Sequence, residues 1–251
     1  MTDLQKIDEL ARLVLAGGNV VFFGGAGVST ESGIPDFRSE SGLFSAMQVY
    51  GRSPEELLSY SFFRREPELF FRYYKENLVS LDAKPNAAHT ALAELERGGK
   101  LKAVITQNVD GLHQAAGSVN VLELHGSNHR QYCMGCGVRY TLEYILRQEG
   151  VPRCRECGGI VRPDVVLYEE GLDQDVMQAA MLAIMGAELL IVGGTSLAVY
   201  PAAGLLHCFR GGALVLINKS ATPADRHAQL VINDSIGIVF AKLMESINIF
   251  K

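Results

Sequence analysis

The stretch VVFFGGAGVSTESGIPDFRS, Val20 to Ser39, begins with four apolar residues and runs out through Pro35, Asp36, Phe37 and Arg38. Val20 to Phe23 reads as a short strand buried on both faces. Gly24, Gly25 and Gly27 follow, where a chain can turn tightly beneath a phosphate. The usual dinucleotide fingerprint, G-x-G-x-x-G, would carry glycine where Thr30 stands. It would also carry an acidic residue about 20 positions on, to hold a ribose. Here the segment SAMQVYGRSP, Ser45 to Pro54, offers neither strand nor carboxylate. The loop keeps the half that lets phosphate approach the backbone and replaces the ribose clamp with an extension.

Leu4, Ile7, Ala11, Val14 and Leu15 recur at helical spacing before the first strand. Residues 53–80 read as helical and aromatic, with Ser53 an N-cap before Pro54. A further helix is expected from Asn86 to Arg97, ended by Gly98 and Gly99. Four more apolar runs follow: LKAVIT (101–106), VNVLELH (119–125), ELLIVGG (188–194) and ALVLIN (213–218). Strands alternating with helices predict an α/β fold around a parallel sheet covered on both faces. The strands end in GGAGVST, TQNVDGLH, HGS, GGTSLAVYP and Asn218. Ligands of such sheets lie outside the carboxyl ends, so these polar segments should converge on one crevice. Turn chemistry accounts for their glycines and serines, but not for Gln107, Asn108, Asp110 and His125.

The 251 residues suffice for one domain, or one large and one small. With 48% hydrophobic and 20% charged residues, the composition is that of a globular protein. A net charge of −5 offers no basic footprint for nucleic acid or anionic lipid. No basic leader with an apolar core and no long uncharged apolar run is visible, so a cytoplasmic location is expected, with no membrane partner. Between the third and fourth strands, Cys133 and Cys136 form one C-x-x-C pair and Cys154 and Cys157 another, with 17 residues between the pairs. Two such knuckles satisfy a tetrahedral zinc completely and leave no position for water, which makes the metal structural. A thioredoxin-type redox pair is the weaker reading, since two pairs at ribbon spacing are more specific than one. Cys208 reads as a small buried hydrophobe.

With these pieces in order the chain resembles the sirtuins, NAD-dependent protein-lysine deacylases, from about Ile7 to about Phe240. The resemblance rests on GAGVSTESGIPDFR (25–38), TQNVDGLHQAAG (106–117), ELHG (123–126), the cysteine pairs, RPDVV (162–166), GTSLAVYP (194–201) and IN (217–218). It implies a Rossmann-type doubly wound parallel sheet with a smaller zinc-ribbon plus helical domain. The large domain would comprise 1–39, 85–130 and 162–251, and the small one 40–84 and 131–161. There are departures: Gly24 replaces a common threonine, Val109 a common isoleucine, and Glu169 stands at a glycine position in a segment that pairs with substrate backbone.

The resemblance also implies chemistry. NAD would be a consumed co-substrate: the acyl oxygen of a substrate lysine attacks its ribose, giving deacylated lysine, nicotinamide and O-acyl-ADP-ribose. His125 would be the general base, its ordinary pKa suited to taking a proton from a ribose hydroxyl. Asn108 and Asp110 are its catalytic companions. Ala26, Phe37, Val109 and Asp110 would form the nicotinamide pocket, with Arg38 at the pyrophosphate. Gly25, Gly27, Ser29, Thr30 and Gln107 would line the phosphates and ribose, and Gly194, Thr195, Ser196, Asn218 and Lys219 the adenosine half. Val165, Val166, Leu167 and Val199 would meet the substrate peptide. Phe37 and Arg38 would ride on a flap expected to be poorly ordered without ligand. Family members that take succinyl or malonyl lysine carry Tyr-x-x-Arg in the helical insertion; Arg72 and Lys75 fall at those positions here, favouring a neutral acyl group. His113 would order its loop, and His89 is an early helix residue. His129, four after His125, lacks a third ligand for a metal, and His207 and His227 belong to no constellation. A mono-ADP-ribosyltransferase using the same NAD site is the alternative. Acyl-lysine proteins or peptides are the expected partners, and no oligomeric state is implied.

Overall fold

The computed structural model describes residues 2–36 and 40–249, the side chains of 40–42 and 249 excepted. Phe37 and Arg38, with the expectation of a poorly ordered flap, lie outside the described residues. In chain order the elements are α1 (Asp3–Ala16), β1 (Val20–Gly24), α2 (Glu40–Tyr50), α3 (Pro54–Leu57), α4 (Tyr60–Arg65), α5 (Pro67–Tyr73), α6 (Ala87–Arg97), β2 (Leu101–Thr106), α7 (Leu112–Ala115) and β3 (Val121–Glu123). They continue with β4 (Gly126–Cys133), β5 (Arg139–Thr141), α8 (Leu142–Leu146), β6 (Val161–Val165), α9 (Gln174–Gly186), β7 (Leu189–Gly193), β8 (Ala213–Ile217), β9 (Leu230–Ile232) and α10 (Ile236–Ile249).

Six strands form a parallel sheet in the order β3-β2-β1-β7-β8-β9. The chain winds outward from β1 to β3, then returns to β7 on the other side of β1. Strand order reverses between β1 and β7, whose connections leave toward opposite edges of the sheet, and such a reversal places a crevice outside the carboxyl ends. All five residues of β1 are buried, as are all five of β7. Successive side chains point to opposite faces. Val20 and Phe22 join Ile7, Leu92 and Phe240 beneath α1, α6 and α10, whereas Val21 and Phe23 join Ala180 and Ile184 of α9. Phe22 meets Phe240 edge-on at 5.8 Å. Truncating such a buried ring to alanine costs about 3–5 kcal/mol.

Some expected boundaries move. The apolar stripe of α1 is Ile7, Leu10, Ala11 and Val14, with Leu4 turned to solvent. The run 119–125 yields only the three residues of β3, and β9, three residues long, had no sequence signal strong enough to mark it. Residues 53–80 are helical as expected, in the pieces α3, α4, α5 and a π-helical turn at Tyr74–Leu78. Ser53 and Ser59 each cap a new start by accepting from the backbone three residues on, and Pro67 has no N–H with which to extend α4. These pieces pack Phe62, Phe63, Phe70, Phe71, Tyr73 and Tyr74 into a third core together with Cys133, Ile145 and Val161. The strands β5-β4-β6 form a separate antiparallel sheet carrying the cysteines.

Candidate functional site

Glycine contacts join the loops after β1 and β7 back to back. Gly27 N donates to Gly194 O (2.8 Å), and Gly194 adopts φ +61°. A side chain on Gly194 would begin 2.4 Å from Val28 N, and one on Gly27 would begin 2.8 Å from Gly194 Cα. Only glycine fits this approach. Thr195 N donates to Asn218 Oδ1 (2.9 Å), Gln107 Nε2 to Thr195 Oγ1 (3.2 Å), and Gln107 N to Gly24 O (3.0 Å). Four strand ends are thereby tied together. Gly27, Thr30, Gly194, Thr195, Ser196, Asn218 and Lys219 border a crevice of about 390 Å³. Asn218 Nδ2 is buried there with no hydrogen-bond partner among the described residues, a donor that a nucleotide could satisfy. Gly25 packs its backbone on Gly194 and Thr195.

A second cavity, about 250 Å³, adjoins it and is bordered by Ala26, Ser29, Gln107, Asn108, Val109, Asp110 and His125. Asn108 Nδ2 donates to Ser29 Oγ (3.0 Å), which donates to Asp110 Oδ2 (2.7 Å). Asp110 Oδ1 accepts from Leu112 N (2.9 Å). His125 Nδ1 lies 2.8 Å from Gln107 O. A carbonyl only accepts, so Nδ1 carries the hydrogen and the neutral ring keeps its lone pair on Nε2. That is the tautomer a general base at Nε2 requires.

The residues expected to meet a peptide, Val165, Val166, Leu167 and Val199, border this same cavity. Val166 N donates to His125 O (3.0 Å), which ties the segment after β6 to the histidine. Arg162, 3% exposed, reaches Glu170 with two nitrogens and donates to Val165 O (2.8 Å). Burial pushes the Glu170 carboxyl up, but the Arg162 guanidinium and Leu167 N hold it below its ordinary range. Glu169 adopts φ +77°, and its carboxylate accepts from Ser61 N and Oγ, both at 2.8 Å. The backbone there is one that glycine adopts freely, and two hydrogen bonds offset what glutamate gives up.

Neither Arg72 nor Lys75 borders the cavity: Arg72 pairs with Glu76 and Lys75 Nζ donates to Gln148 O (2.6 Å). Sequence reasoning missed Asn128, which borders the cavity and is buried, accepting from the Tyr74 hydroxyl (3.0 Å) and donating to Leu78 O (2.6 Å). Ile34, Leu172 and Tyr200 also line it, with no signal in residue type or spacing. His113 lies in the core beside Phe22 and His89, and His89 Nδ1 accepts from Asn86 N at the start of α6 (3.3 Å). His207 and His227 lie in short 3₁₀ turns. Cys208 is half-buried rather than buried.

The four expected metal ligands do come together. The sulfurs of Cys133, Cys136, Cys154 and Cys157 lie within 4.8 Å of one another. Cys133 and Cys157 are 3.4 Å apart, Cys136 and Cys154 3.6 Å. Tetrahedral zinc with bonds of about 2.3 Å would space its sulfurs about 3.8 Å apart. Gly135 N donates to Cys133 Sγ (3.3 Å), a contact that favours a thiolate. Donor set and spacing fit a structural Zn²⁺.

Fold and crevice define a Rossmann-type nucleotide-binding protein with a cysteine-rich ribbon set between its third and fourth parallel-sheet strands. The Sir2 family model matches residues 25–201. NAD-dependent protein deacetylases of Clostridium acetobutylicum and Clostridium perfringens are each 59% identical, over 94% and 96% of this chain and 97% and 99% of their own. A solved structure of Sir2 with a p53 peptide and NAD⁺ is 40% identical with a TM-score of 0.86, covering 96% of this chain and 98% of that one. Sir2Tm bound to a propionylated peptide gives 40% and 0.85 over the same shares. The chain belongs to the Sir2 family.

Proposed function

We propose that the protein is an NAD-dependent protein-lysine deacylase acting on acyl-lysine proteins or peptides. The observation that carries this reading is His125, anchored through Nδ1 to Gln107 O and lining a cavity that Asp110 and Val166 also border. NAD, the co-substrate, supplies the ribose that receives the acyl group. Gly25, Gly27, Thr30, Gly194, Thr195, Ser196, Asn218 and Lys219 hold its adenosine and phosphate half. Ala26, Val109 and Asp110 hold nicotinamide, with Phe37 and Arg38 assigned beside them by resemblance alone. Asn108, fixed by Ser29, orients the ribose, and His125 Nε2 takes the proton of a ribose hydroxyl. Val165, Val166, Leu167 and Val199 grip the peptide. The apolar lining, with Arg72 and Lys75 directed elsewhere, favours acetyl or other neutral acyl groups.

The division into a large domain (1–39, 85–130, 162–251) and a small one (40–84, 131–161) belongs to the same proposal. The shared aromatic core of the insertion and the ribbon supports it. One structural zinc closes the ribbon. No described helix is long and apolar enough to cross a membrane, and a cytoplasmic site of action is part of the reading.

His125→Ala tests the assignment. Acetyl-peptide turnover should fall by about 10²–10⁴ while NAD binding, measured by calorimetry, stays measurable. Full turnover, or lost NAD binding, would contradict it.

A further inference from the structure

His129 takes no part in the chemistry above, yet it touches the residue assigned to nicotinamide. Its Nε2 lies 2.9 Å from Asp110 O. The carbonyl cannot donate, so Nε2 carries the hydrogen, as it does in both the imidazolium and one neutral tautomer. The next residue, Gly111, has φ +73°, and a side chain there would begin 2.6 Å from His129 Cδ2 and Nε2. The imidazole thus fills the space that a side chain at Gly111 would take. The strand explains how the ring arrives there. The pairing of β4 with β6 is irregular between Ser127 and Gln131. Such a break re-aims side chains off the ladder. Asn128 N turns to Val109 O (2.8 Å), and His129 to Asp110 O. Ser29 and Leu112 fix the Asp110 carboxylate, while His129 and Asn128 fix the backbone that carries it.

We propose that His129 is a positioning residue for Asp110, holding the Asp110–Gly111 peptide so that the carboxylate faces the nicotinamide carboxamide. This rests on the reading of Asp110 as the nicotinamide acceptor. His129→Phe keeps a ring against Gly111 and removes the donor; His129→Gln keeps a donor of similar reach. Three quantities are measured: NAD affinity by calorimetry without peptide, the nicotinamide inhibition constant, and KM for acetyl-peptide. In His129→Phe, NAD affinity and nicotinamide inhibition should each weaken about three- to tenfold, with peptide KM unchanged, and His129→Gln should restore both. Parent-like values in His129→Phe, equal losses in the two variants, or an equal shift in peptide KM would each overturn the proposal. Asp110→Asn separates the two levels. If it loses nicotinamide inhibition while His129→Phe does not, only the positioning role falls. If Asp110→Asn leaves that inhibition intact, the reading of Asp110 falls as well.

Discussion

The imidazoles of His89 and His113 face each other with centroids 4.7 Å apart, and neither ring is accessible to water. Burial pushes the pKa of His89 down to about 4, against a partial pull upward from Asp110. Burial, then the neighbouring His89, pushes His113 down to about 3. An unfolded histidine titrates near 6.5, so between about pH 6.5 and 4 the unfolded chain binds the extra protons. Their titration therefore costs no stability above pH 6.5 and lowers it as pH falls through that window. Both ring nitrogens of His113 lack a hydrogen-bond partner among the described residues, so phenylalanine would forfeit none. In His113→Phe the urea midpoint at pH 7.5 should equal or exceed the parent's, and its decline between pH 6.5 and 4.5 should flatten. An equally steep decline would contradict the burial argument. The sequence marked His125 because Asn108 and Asp110 shared its strand-end pattern. Asn128 escaped, and His129 stood out only as a metal ligand lacking partners, because their aim depends on an irregular pairing of β4 that no local residue type announces.

Elements buried on both faces were the most legible: β1, β7 and β8 are unbroken apolar runs that only a covered parallel strand explains. Helices with an end signal followed, as Asn86 capping α6 illustrates. Over 53–80 the helical character and the Ser53 cap are legible, but nearly every turn is apolar, so the second start at Ser59 and the break at Pro67 do not stand out. Glycine at the junction of β1 and β7 is where an element's geometry leaves least room. In Gly194→Ala the new methyl meets backbone atoms of Val28 and Gly27 at 2.4 and 2.7 Å with φ +61°. Strain and overpacking together should cost about 2–4 kcal/mol. The expected outcome is a Tm lower by about 5–10 °C with weakened NAD binding, by scanning calorimetry and titration. A parent-like Tm would mean that the two loops part easily.

At the scale of the molecule, order along the chain was readable and contact across it was not. The alternation of strands and helices predicted a parallel sheet covered on both faces, and the cysteine spacing predicted a closed set of four thiolates; the sheet and the cysteine cluster are both present. That the aromatic insertion and the ribbon share one core, with Phe62, Phe70 and Ile145 together, needed the folded chain. The opening loop now has a physical account in its described part. Gly25 and Gly27 are fixed by close approach to Gly194, and Glu31 reaches Gly237 N at the start of α10 (2.6 Å). Thr30 sits where a third fingerprint glycine would, on the crevice wall. The site consumes NAD by acyl transfer. Mass spectrometry of an acetyl-lysine peptide incubated with the protein and NAD tests it most directly. Deacetylated peptide, nicotinamide and O-acetyl-ADP-ribose should appear in equal amounts; free acetate without NAD loss, or ADP-ribose attached to protein with the acetyl group intact, would contradict it.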